Sequence, residues 1–285
     1  MFKNKKLLIG IAVGFVLLLV AIGYFVVTPA MQVASYKQQA MTAHTKVSDA
    51  TNKLTAMRGK DAFVKTDVES AVVRSDVKAG QDAIKDLESA LASYEKQLTD
   101  FNALPLLDFN SQYKTAGQIK GQELEYVKNI REYVTEMRAV LEYLDKSSVI
   151  TDKLKEVSSM GDALATATTS AELLSRLNTV IAKYDNAIAE YEKIVAPASL
   201  NEMHIEAVVM AKDLSSLLKE MSAVVKSESY EKMTGIYNRL LEKQTAITTR
   251  GTELNDKFMK ESVLAKLSDK LKDLHREIEA NFAKL

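Results

Sequence analysis

An all-α fold follows from three features of this chain: apolar seams at helical spacing, very few residues able to break a helix, and an N-terminal run apolar enough to cross a membrane. The 285 residues include only ten Gly and three Pro. A β-sandwich or barrel needs many turn residues, and an α/β enzyme uses glycine at phosphate loops and strand ends, so neither fits this composition. With 47% hydrophobic and 27% charged residues the chain is otherwise ordinary globular material. The absence of Cys excludes a disulfide scaffold, thiolate metal sites and cysteine nucleophiles, and three His leave little for other metal chemistry. The predicted architecture is an N-terminal transmembrane helix followed by an extended antiparallel helical bundle.

The first element is the run from Leu7 to Val27, which contains no charged residue. At ~1.5 Å per residue it spans roughly 30 Å, one bilayer core, whereas the apolar part of a cleaved signal peptide is only about 7–15 residues long. Residues 7–28 therefore read as a signal anchor in contact with the lipid bilayer. Cleavage after Ala30 is the competing reading, but Thr28-Pro29-Ala30 matches the small-x-small signal poorly. Lys3, Lys5 and Lys6 precede the run and the next basic residue is Lys37. The positive-inside bias then assigns residues 1–6 to the cytoplasm and residues 29–285 to the extracytoplasmic side of a cell membrane. The lack of any Asn-x-Ser/Thr sequon favours a bacterial envelope. Within the run, Gly10 and Gly14 form a small-xxx-small pair that would let two helices approach closely and self-associate.

Beyond Pro29, which suits the first turn of a new helix, apolar residues recur at alternating steps of three and four. The seams include Val77, Ile84, Leu87, Leu91, Tyr94 and Leu98, then Val127, Ile130, Val134, Met137, Leu141 and Leu144. Leu177, Ile181, Tyr184, Ile188 and Tyr191 continue the pattern, followed by Met203, Ala207, Met210, Leu214 and Leu217, and by Leu264, Leu267, Leu271, Leu274 and Ile278. Thr66-x-x-Glu69, Thr169-x-x-Glu172 and Ser199-x-x-Glu202 have capping-box spacing. With breaks at Pro105, Asp145–Ser148, Pro197 and Lys226–Ser229, helices are expected near 31–57, 67–102, 118–146, 149–166, 170–195, 200–226 and 229–284, with Gly251 a candidate break in the last.

A weak internal repeat places Tyr94-Glu95-Lys96 before Pro105 and Tyr191-Glu192-Lys193 before Pro197. Two readings stand. Either regions near 66–168 and 169–262 are duplicated, stacked helical hairpins, or the likeness is the common pattern of heptad-spaced helices.

Candidate chemistry is sparse. None of His44, His204 and His275 belongs to a Glu-x-x-His pair of the kind that builds carboxylate-bridged metal sites in bundles, and each reads as a solvent-facing or interface residue. His204 stands out because Pro197, Leu200 and His204 open a helix beside a proline loop, which makes these three a candidate ligand or partner surface, with Met203 and Met210 able to offer soft sulfur. Tyr126, Tyr133, Tyr143, Tyr184 and Tyr191 read as boundary residues, the alternative being a tyrosine-lined groove. Nucleophile-elbow, zincin and phosphate-loop motifs are all missing, so no catalytic residue, metal ligand or cofactor is assigned and no enzyme is expected.

Charge excludes one further class. Three of 38 basic residues precede the apolar run and no acid precedes Asp49, so the remainder carries 35 bases against 38 acids, a net −3. A faintly acidic exterior with no basic patch is not expected to bind nucleic acid. The expected function is therefore a membrane-anchored structural or interaction protein of the cell envelope, with a protein partner or self-association. The alternative is a ligand-binding sensor or carrier ectodomain that works through a membrane partner.

Overall fold

The structure is a computed structural model that describes residues 28–64, 68–100, 111–228 and 230–285. It is all-helical. The helices are α1 (Thr28–Ala56), α2 (Asp61–Val64), α3 (Ser70–Asp100), α4 (Ser111–Ala165), α5 (Ser170–Tyr191), α6 (Asn201–Lys226), α7 (Met233–Glu261) and α8 (Val263–Phe282), with 3-10 turns at Met57–Gly59 and Tyr230–Lys232. The apolar run at 7–27, with Gly10 and Gly14, lies outside the described residues, as do Thr66 and Pro105. Among the described residues no helix is long and apolar enough to cross a membrane.

One expected break is absent and another falls elsewhere. The helices expected at 118–146 and 149–166 are one 55-residue helix, α4. Ser147 Oγ donates to the Leu144 carbonyl at 3.1 Å, Ser148 Oγ to that of Asp145 at 2.7 Å and Thr151 Oγ1 to that of Ser147 at 3.1 Å. These hydroxyls fold back on their own helix instead of capping a new one. The C-terminal helix does break, but at Ser262 rather than Gly251, which is helical. Ser262 is extended at φ −62° and ψ 163°, and its Oγ accepts from the Ala265 amide at 3.1 Å, the hydrogen bond of an N-cap.

The capping boxes have mixed outcomes. Thr169, at φ −134° and ψ 153°, accepts from the Glu172 amide at 3.1 Å, while the Glu172 carboxylate turns to the Thr168 amide and hydroxyl. Ser199 does not cap α6. Its amide donates to Glu136 Oε1 at 2.7 Å and its Oγ accepts from the Leu264 amide at 3.2 Å, so it ties the α5–α6 loop to α4 and to the start of α8.

The described residues fall into two compact units. Of the described residues, 28–52, 85–100, 111–131 and 269–285 form the first, and 53–64, 68–84, 132–228 and 230–268 form the second. In the first unit α1 and α8 run antiparallel, since Tyr36 lies beside Phe282 and His44 beside His275. Its core holds Val47, Leu87, Ile119, Ile130, Leu271 and Ile278.

In the second unit α3 runs antiparallel to α4, pairing Arg74 with Asp152 and Gly80 with Leu141. Rungs of charge give the direction of the remaining helices. Asp185–Lys219 at 2.9 Å and Glu192–Lys212 join α5 to α6, and Asp213–Lys243 at 2.5 Å and Glu202–Lys257 at 2.5 Å join α6 to α7. The second-named residues descend or ascend opposite to the first, so both pairs are antiparallel. Each rung is half-exposed and contributes ~0–1 kcal/mol, enough to favour a register but not to hold the helices together. Burial of Leu54, Met137, Leu141, Leu177, Phe258 and Leu264 does that.

Candidate functional site

The second unit contains a cavity of about 450 Å³. Packed protein interiors leave few voids larger than a water molecule, whereas sites for small molecules occupy ~300–1,000 Å³. The cavity arises from the composition of α6. Its seam residues Met203, Ala207, Met210 and Leu214 all line the cavity and remain half-buried instead of closing on a neighbouring helix. Opposite them the wall includes Ser147 and Ser148 of α4 and Gly251 of α7, whose small side chains leave the space unfilled. Phe63, Val73, Ile150, Leu254 and Phe258 complete an apolar surface.

The polar atoms are few and uncharged. Among the described residues that line the cavity none is Asp, Glu, Lys, Arg or His. Ser147, Ser148 and Thr151 have given their hydroxyl protons to α4 carbonyls, which leaves their oxygens as acceptors. Asn255 Oδ1 is buried and has no hydrogen-bond partner.

Tyr143, Tyr184 and Tyr191 form the aromatic part of the wall. Tyr143 and Tyr191 share a hydrogen bond of 2.6 Å, and Tyr143 Oη lies 3.2 Å from His204 Nδ1. Burial raises the pKa of both phenols and lowers that of His204, although the Glu192 carboxylate nearby opposes the latter. Neutral imidazole, which keeps one acceptor nitrogen, is the form that suits this contact. The structure thus brings one of the three candidate loop residues into the cavity wall. Leu200 is in its wall, and His204 stands behind Tyr143 and Tyr191 without lining it. Pro197 closes the turn that presents them, its carbonyl accepting from the Leu200 amide at 2.9 Å.

A second polar constellation lies in the first unit. Glu123 on α4 is 0% exposed and accepts from Tyr36 of α1 and, at 2.8 Å, from Tyr94 of α3. Tyr94 Oη lies 3.0 Å from His44 Nδ1, and His44 Nε2 lies 2.8 Å from His275 Nδ1 of α8. Proton counting orders this chain when Glu123 is ionised. Tyr94 gives its only proton to Glu123, so His44 Nδ1–H donates to Tyr94 and His275 Nδ1–H donates to His44 Nε2. His275 Nε2 then faces Ser48 and Glu279, each 3.5 Å away, on the solvent side. Burial pushes Glu123 up to about 7, against the two tyrosine hydrogen bonds that favour its carboxylate. Burial, and then the neighbouring His275, push His44 down to about 4. Tyr36 and Tyr94 are raised by burial and by the Glu123 charge.

Of the two readings of His44, its 2% exposure removes the solvent-facing one and leaves it an interface residue between helices. Its spacing carried the signal, since Ala40, His44, Val47 and Thr51 follow steps of four, three and four on one face of α1. Glu123 was equally detectable. Extending the seam back from Val127 by four residues reaches Glu123, and by four more Ile119, so a carboxylate stands where the pattern calls for an apolar side chain. Among the described residues no group of three or more acids and histidines is placed to hold a metal ion.

Comparison of the chain with known protein families, with curated proteins and with solved structures finds no match.

Proposed function

We propose that this chain is a ligand-binding carrier or sensor, tethered to the membrane of a bacterial envelope by residues 7–28, whose second unit takes up a small apolar molecule. The observation that carries this reading is the 450 Å³ cavity, which α6 lines with a continuous seam of half-buried apolar residues. An unfilled apolar surface of that kind gains from a guest at ~25 cal/mol per Å² removed from water. The cavity supports the class that the sequence placed second. Only residues 1–6 are expected in the cytoplasm, so a signal or cargo would pass to a partner in or beside the membrane. The test is thermal unfolding of the full chain in lipid nanodiscs with a panel of apolar metabolites. A ligand at 100 times its Kd stabilises the protein by about 2.7 kcal/mol. A shift that is present in the wild type and absent in Ala207→Phe supports this reading, and no shift with any compound removes its basis.

The envelope interaction protein remains the second reading, favoured by Ile205 and Val209 of α6, one turn apart and 52% and 49% exposed. Cross-linking in the native membrane followed by capture through a C-terminal tag tests it. A stoichiometric companion supports an assembly subunit. Loss of a cross-linked dimer on replacing Gly10 and Gly14 with Ile supports self-association through the anchor.

A further inference from the structure

We propose that Glu123, Tyr94, His44 and His275 form a proton wire, through which the buried carboxyl exchanges its proton with solvent at His275 Nε2 and sets which nitrogen of each of these histidines carries hydrogen. The wire belongs to the first unit alone and is independent of the cavity. Glu123 has no exposed surface and its two carboxyl oxygens face Tyr36 and Tyr94, so a proton reaches it along hydrogen bonds or only when the fold opens. The far end is accessible, since the His275 side chain is 27% exposed. Between the ends, contacts of 2.8, 3.0 and 2.8 Å join groups that can each donate and accept.

Two states of the wire satisfy every contact. With Glu123 ionised the donors point inward, from His275 Nδ1–H to His44 Nε2, from His44 Nδ1–H to Tyr94 and from Tyr94 to Glu123 Oε1, which leaves a lone pair on His275 Nε2. One proton added at that nitrogen reverses every bond. Glu123 Oε1–H then donates to Tyr94, Tyr94 to His44 Nδ1 and His44 Nε2–H to His275 Nδ1, while His275 Nε2 keeps the added hydrogen. Each hydrogen crosses one hydrogen bond, and Tyr94 and both imidazoles are neutral in both states.

The titratable groups facing these four, among the described residues, are Tyr36 of α1, Tyr126 of α4 and Glu279 of α8, with the Ser48 hydroxyl 3.5 Å from His275 Nε2. The Glu279 carboxylate, 3.5 Å from the same nitrogen, only accepts, so it favours the state in which His275 Nε2 carries hydrogen. Ser48 suits either state.

His44 is the readout. Burial raises Glu123 to about 7, and burial with His275 lowers His44 to about 4, so from about pH 5 to about pH 9 the carboxyl titrates while His44 is neutral and shows one tautomer or the other. The full chain with isotope-labelled histidine is placed in lipid nanodiscs and its imidazole nitrogens are followed by NMR, which separates a protonated nitrogen from a lone-pair one. His204→Asn and His275→Asn assign the signals. His44 is expected to invert, from mainly Nε2–H about one pH unit below the Glu123 titration to mainly Nδ1–H about one unit above it.

Glu123→Gln, which does not titrate, and Tyr94→Phe, which cuts the link, are each expected to abolish the inversion. The wild-type series decides by itself, so the result stands whether or not either variant folds. A constant His44 tautomer in wild type overturns the wire. That is also what a carboxyl proton on the Tyr36 side of Glu123 gives, or a doubly protonated His275, which holds His44 as Nδ1–H. Inversion that persists in folded Glu123→Gln overturns Glu123 as the group that drives it, and inversion that persists in folded Tyr94→Phe overturns the route.

Discussion

Glu123 shows how one side chain couples stability to pH. Its carboxyl holds a proton in the fold up to about pH 7, against 4.5 for an ordinary glutamate. Between those values the native state binds the extra proton, so stability falls as pH rises and levels off above about 7. His44 acts in the opposite sense. It stays neutral down to about 4, against 6.5 for a free imidazole, so stability rises with pH between those values. The two slopes offset from about 4.5 to 6.5, and the Glu123 slope alone remains from 6.5 to 7. Replacing Glu123 with Gln removes the falling slope. Relative to wild type, Glu123→Gln should gain about 3 kcal/mol between pH 4.5 and 8, measured by urea unfolding across that range. Parallel pH profiles for the two proteins would mean that the carboxyl is already ionised near pH 5.

The helices owe their ends to particular hydroxyls and their closeness to particular glycines. Ser262 separates α7 from α8 by capping Ala265, so Ser262→Ala should cost about 1 kcal/mol in thermal unfolding. No cost would mean that the break is held by packing alone. Gly80 of α3 faces Leu141 of α4, and a Cβ built there would lie 2.8 Å from both Leu141 methyls. Leu141 is buried and has little room to retreat, so Gly80→Val should destabilise by about 1–3 kcal/mol through overpacking. Gly121, also on a helix, has no neighbouring atom within 4 Å of such a Cβ. Gly121→Ala should therefore stabilise by about 0.5–1 kcal/mol, because alanine loses less backbone freedom on folding. Opposite signs at the two glycines are the result that separates a packing role from mere helical propensity.

The molecule as a whole combines a proposed anchor with a proposed binding cavity, and each has its own measurement. Carbonate extraction of membranes should leave the full chain in the pellet and release a chain lacking residues 1–28, and release of both would remove the anchor. Ala207→Phe should raise the stability of the empty protein by about 0.5–2 kcal/mol, since filling a void restores contacts. The same change should abolish ligand-induced stabilisation. Destabilisation by Ala207→Phe would mean that the cavity lacks the free volume its walls enclose.

Composition and periodicity were sufficient for the all-helical class and for most helix limits, because seams, prolines and caps act within a few residues of one another. They also identified Thr169 as a cap and Leu200 and His204 as residues of interest. Periodicity could not separate a seam that closes from one that stays open. Met203, Ala207, Met210 and Leu214 have the spacing of core residues, and whether they meet a partner helix or bound a cavity depends on the size of side chains far away in the chain, Ser147, Ser148 and Gly251 among them. The same limit applies to hydroxyls. Ser147 and Ser148 have the composition of a break and instead donate their hydroxyl protons to carbonyls one turn back on α4, which runs on uninterrupted. The pairing of Glu123 with Tyr36, Tyr94 and, through His44, with His275 joins residues from four separate helices. Local sequence can place a polar residue on a seam, but only the packing of those helices supplies the partners that make its burial tolerable.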